Sequence, residues 1–392
     1  MSAGSRIVVG VSGGVDSSVA ALCLLRAGFE VHALHMTNWE DGDSYCSAAA
    51  DYQTARRACD ELGIPLHRVN FSAEYREQVF ADFLREYRAG RTPNPDVLCN
   101  RHIKFGHFLD YAERLGAREI ATGHYARRGG PDGQRLLIAA DRQKDQSYFL
   151  HAVDRHALSR TLFPLGDLTK AQVRRLAVQA GLSNHARPDS TGICFIGERP
   201  FREFLARYVE TAPGPVVTAD GDCVGQHGGL PFYTLGQRSG TGIGGRAGST
   251  GLPWYVAGKE PATNTLIVVQ GRDNPLLWSR QLETETARWM FAEPTAITTG
   301  LPLYCEARIR HRHAPAPCQV SARPDGGLIV QFAQPQWAPS PGQYLVLYDG
   351  DECLGGAVIR SFTPETSRTG AISACPAPAG ADTAAGPAAY PL

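Results

Sequence analysis

The stretch Ile7–Ser18, IVVGVSGGVDSS, restricts the fold more than any other part of the chain. A β-branched run enters a turn through Gly10, Gly13 and Gly14, and a helical pattern opens after Asp16–Ser18. A strand, a glycine turn and a helix N-terminus in that order build an anion site. Glycine lets the backbone approach a ligand, first-turn N–H groups have no helical acceptor, and the helix dipole favours negative charge. The expected ligand carries phosphate. A Walker A loop would end in Gly-Lys-Ser/Thr to bring a lysine to the terminal phosphates, and a dinucleotide site would show GxGxxG; this turn has neither.

Strand and helix patterns then alternate as in a parallel sheet covered on both faces. Strands are expected at Ile7–Gly10, Val31–Met36, Leu66–Phe71 and Glu119–Thr122, and helices at Ala50–Leu62, Ala73–Arg88 and Ile103–Leu115. Ligands of such sheets collect beyond the strand C-termini, which gathers Gly10–Ser17, Met36 and Gly123 around one crevice. A hairpin is expected between Tyr125 and Ala139, and Thr169–Ala180 opens with a capping box, Thr169 to Gln172. Past Thr211 glycine and proline become dense and the strands short. Short strands with regular turns return from about Trp278, the texture of a small barrel or sandwich. The expected division is a catalytic α/β domain over 1–203, a small loop-rich β domain over 204–276 and a C-terminal β-barrel over 277–363. The tail 364–392, mostly Ala, Pro, Gly, Ser and Thr, is expected to be disordered.

At 392 residues, with 43% hydrophobic and 20% charged side chains, the chain can bury ample core. No apolar run reaches membrane-spanning length and the N-terminus leads straight into a strand, so a cytoplasmic protein without membrane partners is expected. The ten cysteines contain no CxxC pair, which argues against a structural zinc or iron–sulfur site and for a reducing compartment. The formal net charge is zero, so nucleic-acid binding would require a locally basic surface. Two cysteines stand before helical patterns: Cys99 in TPNPDVLCNRHIKFG and Cys194 in DSTGICFIG. A helix N-terminus favours the thiolate, the form needed for nucleophilic or persulfide chemistry. Their distance in sequence leaves open whether they meet.

The core Ser12–Ser17, SGGVDS, resembles the pyrophosphatase loop of N-type ATP pyrophosphatases. With PNPDVLCN and IKFG, ATGHYA at Ala121–Ala126, KDQSYFL, TGICFIGER, YTLGQRSG, ARIRHR at Ala307–Arg312, PGQ and CLGG, it resembles the tRNA-specific 2-thiouridylase family over nearly the whole chain to about Thr363. The resemblance implies ATP held by Gly10, Val11, Ser12, Gly13, Gly14, Val15, Asp16 and Ser17, with Met36 and Gly123 at the adenosine. It implies adenylylation of the C2 oxygen of a tRNA wobble uridine, followed by sulfur transfer from a persulfide on Cys194. A sulfur-relay protein or cysteine desulfurase would load that persulfide. Cys99 would be its disulfide partner, at roughly 6 Å between Cα atoms. Asn94, Pro95 and Asp96 match the segment that meets the target base. His124, Lys144, Asp145, Gln146, Arg310, His311 and Gln343 match tRNA-contacting positions. Asp16 is expected to touch Mg²⁺ or to cap its helix, and Mg²⁺ needs few protein ligands.

Plainer roles exist for several of these residues. Asn-Pro-Asp is good turn chemistry, a lone histidine in a turn is often structural, and Arg308, Arg310 and Arg312 on a strand could form a phosphate track or merely a solvated face. The rival functions are a lysidine- or amide-forming synthetase with the same loop, which needs no cysteine pair, and a non-catalytic nucleotide sensor, which leaves the later domains unexplained.

Overall fold

The computed structural model describes residues 4–40, 48–130, 133–189, 200–238, 240, 243 and 251–366. Its first domain is built on a five-stranded parallel sheet of order β3-β2-β1-β4-β7. The strands are β1 (Arg6–Gly10), β2 (Glu30–Thr37), β3 (Leu66–Asn70), β4 (Glu119–Ala121) and β7 (Thr161–Leu162). β1 is central and covered on both faces, so its apolar run is continuous. Val8 packs into one core with Leu34 and Ile120, while Ile7 and Val9 face the other with Val31 and Ala33. Helix α1 (Val15–Arg26) follows the glycine turn, and α2 (Ala48–Leu62) follows β2.

The helical run expected at Ile103–Leu115 begins earlier than its hydrophobic pattern indicates. It starts at Pro95, passes through a π-helical stretch at Cys99–His107 and ends at Arg114. Asn94 caps it by accepting a hydrogen bond from Asp96 N–H, Pro95 takes the first helical position and Asp96 lies in the first turn. The Asn-Pro-Asp turn chemistry is therefore a helix start. The expected capping box at Thr169 and Gln172 is present.

The middle domain is a four-stranded sheet, β10-β11-β8-β9. These strands are β8 (Gly214–Thr218), β9 (Cys223–His227), β10 (Trp254–Glu260) and β11 (Thr265–Gln270). Lys259 on β10 reaches across to the first domain and donates to the Gly90 carbonyl at 3.2 Å. Burial pushes its ammonium down to about 8. The folded protein therefore releases this proton before the unfolded chain does, and the contribution of Lys259 to stability should rise as pH rises from about 8 towards 10.4. Denaturant titrations across that window should show the wild-type protein gaining up to about 3 kcal/mol relative to Lys259→Met.

The last domain closes a barrel from β12 (Trp278–Thr284), β14 (Leu303–Arg308), β15 (Ala316–Ala322), β16 (Leu328–Trp337), β17 (Tyr344–Asp349) and β18 (Glu352–Pro364), with β12 pairing both β16 and β18. The short β13 (Arg288–Trp289) adds to β18. Pro364 stays in register opposite Ser279 and Glu365 N–H bonds the Trp278 carbonyl at 2.9 Å, so the first residues assigned to the tail belong to the barrel. Residues 367–392 lie outside the described residues.

The barrel is not a separate body. The hairpin β5 (Ala126–Gly129) and β6 (Arg135–Ile138) of the first domain extends the barrel sheet through Leu137 opposite Glu352 and an Ile138 N–H to Asp351 carbonyl bond of 2.8 Å. One hydrophobic cluster holds Phe108, Leu136, Ile138 and Tyr148 together with Met290, Val346, Tyr348 and Cys353.

Candidate nucleotide and sulfur-transfer site

The glycine turn leaves the C-terminal end of β1 at the crevice. Ser17 Oγ donates to the Gly14 carbonyl at 3.0 Å and accepts from Ser12 N–H at 3.2 Å, which fixes the turn from inside. Gly14 takes the N-cap position with no side-chain cap, so Val15, Asp16 and Ser17 present first-turn N–H groups that no helical carbonyl satisfies. Asp16 is thus a first-turn residue, not the cap. Gly13 has φ +85°, and a Cβ there would lie 2.7 Å from the Asp51 carbonyl. At Gly123, just past β4, a Cβ would lie 2.9 Å from Ser17 N, so glycine lets that strand end press against the turn. Gly10 sits beside Met36 Cε and the Phe108 ring, each 3.3 Å from where a Cβ would stand. The residues expected at the nucleotide are brought together.

The structure adds Lys170, Arg174, Asn184 and Arg187, which no local pattern marks, and brings Lys144, expected at the tRNA, to the same cluster. Lys170, the first residue of helix Lys170–Gln179, donates to both Asp16 oxygens at 2.7 and 2.8 Å and reaches Asp189 at 2.7 Å. Tyr125 O–H donates to Asp16 Oδ1 at 2.8 Å. Lys144 and Arg174 pair with Asp189 at 2.7 and 3.0 Å. Burial opposes charge on Asp189, but the hydrogen bonds and charges of Lys144 and Lys170 outweigh it and hold the carboxyl at about 2. Asn184 and Arg187 both donate to the Gly13 carbonyl, at 3.0 and 3.2 Å, and Arg187 also pairs with Asp51 of α2. A cluster of cations therefore surrounds the anion-binding turn. Cys194 lies outside the described residues, which end on this side at Asp189.

Cys99 is fully buried in the apolar cluster that includes Ile103, Phe105 and Phe108. Burial pushes its thiol up to about 11, with Lys104 opposing weakly. The expected helix-terminal activation is absent in this conformation, because Cys99 stands inside a continuous helical run and out of water. Next to it are unsatisfied acceptors: Asp96 Oδ1 and Asn100 Oδ1 are buried without a hydrogen-bond partner among the described residues. His124 Nδ1 bonds Thr122 Oγ1 at 2.9 Å, its ring lies 5.6 Å from Phe105, and burial keeps the imidazole neutral.

The segments expected to touch tRNA lie at the seam between domains. Asp145 is 2% exposed and accepts from Arg308 at 2.6 Å, Ser147 Oγ at 2.8 Å and Ala139 N–H at 3.0 Å. His311 Nε2 bonds the Asp145 carbonyl at 2.8 Å, and Gln146 accepts from Tyr125 N–H at 3.0 Å. Arg310 donates to the carbonyls of Leu235 and Ala338 and to Ser340 Oγ, within 2.9 Å in each case. Gln343 donates to the Thr92 and Pro93 carbonyls at 2.9 and 3.2 Å. β14 ends at Arg308, so the three arginines do not form one strand face. Arg308 and Arg310 turn inward to these partners, and Arg312 alone of the three is exposed. Asp145 and Arg310 thus join domains and present little surface to RNA.

Among the described residues no group of three or more His, Cys, Asp or Glu side chains could hold a metal, and no helix is long and apolar enough to cross a membrane.

Comparison with known proteins agrees with this architecture. Residues 5–198 match the family model described as tRNA methyl transferase HUP domain, 202–270 its PRC-barrel domain and 279–359 the aminomethyltransferase beta-barrel domain. The chain is 55% identical to the tRNA-specific 2-thiouridylase MnmA of Cupriavidus metallidurans over 91% of its length and 99% of that protein. It is 53% identical to the Burkholderia pseudomallei protein of the same name, covering 95% of this chain and 98% of that one. The Chromohalobacter salexigens protein so named is also 53% identical, over 91% and 92% of the two chains. At 53–55% identity over more than nine-tenths of its length, the chain belongs to the tRNA-specific 2-thiouridylase family.

Proposed function

We propose that the protein replaces the C2 oxygen of a tRNA wobble uridine with sulfur, using ATP. The observation that carries this reading is the open first turn of α1 with Lys170, Lys144 and Arg187 around it, a site suited to a polyphosphate. ATP would lie along Gly10–Ser17, with adenosine towards Met36 and Gly123. Mg²⁺ would take one oxygen of Asp16 and complete its shell with phosphate oxygens and water, which suits a cation needing few protein ligands. Asp16 Oδ2 keeps a lone pair for this beyond those used by Lys170 and Tyr125.

The chemistry answers a real difficulty. A urea-like carbonyl is a poor electrophile with no leaving group. Attack of the C2 oxygen on the α-phosphorus expels pyrophosphate and makes that oxygen part of a leaving group. The terminal sulfur of a Cys194 persulfide then attacks C2 and AMP departs. Cys99 thiolate attacks the Cys194 sulfur, freeing thiouridine and leaving a Cys99–Cys194 disulfide for an external thiol to reduce. The unpartnered Asp96 and Asn100 oxygens suit the N3–H of an extruded uridine, whose unstacking costs a few kcal/mol, roughly. A persulfide-carrying relay protein or cysteine desulfurase is the proposed sulfur source, and the cytoplasm the proposed location.

The family descriptions also name methyl transfer, which would need neither pyrophosphate release nor cysteines. Mass analysis of tRNA after incubation with the protein, ATP, Mg²⁺ and a persulfide donor separates the readings. An oxygen-to-sulfur mass gain at the wobble uridine, with AMP and pyrophosphate formed in equal amounts, is expected. A methyl mass gain, or no ATP-dependent change, overturns the proposal.

A further inference from the structure

A cleft of about 470 Å³ opens between the first domain and the barrel, within the range of ligand sites. Asn94, Pro95, Leu98 and Arg101 line one wall, and Arg288 and Tyr344 the other. Positions 94, 98 and 101 are spaced to share a helical face; Cys99 does not line the cleft and is buried in the core. The acids of the cleft are already engaged. Asp82 pairs with Arg85, Glu86 takes both arms of Arg91 at 2.6 and 2.5 Å, and Glu285 takes Arg360 at 2.8 Å. Arg288 pairs with Asp154.

Arg101 has no such partner. Among the described residues no carboxylate or carbonyl accepts a hydrogen bond from it, and its Nε is buried and unsatisfied. The charged and phenolic groups around it are Arg288, Asp154 and Tyr344, with Arg288 adding repulsion to the cost of desolvation. Asp154 and Tyr344 offset this only in part, and a half-buried guanidinium without a hydrogen-bonded acceptor is expensive, an expense that a bound anion removes.

Building on the proposed thiolation, we infer that Arg101 binds a backbone phosphate of the tRNA anticodon loop beside the target nucleotide. The cleft supplies the parts single-stranded RNA needs: the amide of Asn94 for a base edge, the ring of Tyr344 for stacking and one unpaired fork for phosphate. Arg101 is a positioning residue here, because it holds the strand while other groups meet the base.

The test uses the full-length protein and a tRNA transcript, with binding measured over a series of KCl concentrations. Arg101→Met should weaken binding about ten-fold or more. It should also flatten the dependence of log K on log salt by about 0.7, the share of one single-strand phosphate. Arg101→Lys should keep the slope and recover part of the affinity, since it restores the charge without the fork. ATP affinity should not change, and the thermal midpoint of Arg101→Met should hold or rise, because a charge without a hydrogen-bonded acceptor has gone. A fallen midpoint with an unchanged salt slope would make Arg101 structural and overturn the inference. Unchanged tRNA affinity and slope would overturn it too, while leaving thiolation by the wild-type protein intact. Titration with inorganic phosphate and with AMP forms a further arm. Arg101-dependent binding of either that tRNA fails to displace would assign the cleft to a free anion instead. If the wild-type protein neither binds nor thiolates tRNA, it is the parent reading that fails.

Discussion

With Cys99 replaced by alanine, thiolated tRNA falls by more than about a thousand-fold, the scale of losing a nucleophile, while ATP affinity stays within about two-fold because the phosphate turn is untouched. The structure adds a condition to that expectation. The Cys99 thiol is enclosed by apolar side chains and held at about 11 by burial, so the resting protein carries almost no thiolate there at neutral pH. Reactivity must therefore arise when the substrate opens the site. Peptide-mapped labelling with iodoacetamide should find Cys99 nearly inert in the free protein and at least about ten times faster with tRNA and ATP present, as desolvation is relieved. Full activity in Cys99→Ala, or labelling that tRNA does not alter, removes Cys99 from the reaction.

The second large effect is on stability. Arg308→Ala should cost about 3–5 kcal/mol, because it strands the buried Asp145 carboxylate without its cation. Arg308 and Asp145 are 5% and 2% exposed and meet at 2.6 Å, and the guanidinium also lies 4.8 Å from the Tyr348 ring centre. Urea titration of Arg308→Ala, Asp145→Asn and the double variant closes a cycle. A coupling energy above about 1 kcal/mol marks the pair as the bond between the domains; additive losses would deny it. These point variants are better probes of the seam than cutting the chain near residue 277, which would also strip the cover from Asp145, Thr92 and Leu137.

Local rules served well where the chemistry is local. The β1–turn–α1 unit, the Thr169 capping box and the alternating barrel strands all follow from spacing within about ten residues. The glycine turn announced its ligand because three glycines and an acidic first turn sit side by side. Lys170 shows the boundary of that method: a lysine beginning a distant amphipathic helix looks like solvated surface until the sheet brings it onto Asp16. Asp145, Arg308 and Arg310 fail in the opposite direction. Each is polar in a segment resembling RNA-contacting ones, but their partners come from another domain, which no periodicity records. The burial of Cys99 is hidden from local pattern for a related reason. Its helix starts about two turns before the expected Ile103, capped by Asn94, so the thiol sits within the helical run and faces the core.

The hairpin β5–β6 has a consequence for how this protein is born. Its outer edge is completed by Glu352 and Asp351, more than two hundred residues later in the chain. During synthesis at about 5–20 residues per second, that edge waits on the ribosome for some ten seconds or longer with unpaired amides and the apolar Leu136 and Ile138 uncovered. Arg127, Arg128 and Arg135 stud the same short strands, a charge pattern that discourages a stray neighbouring strand from docking there first.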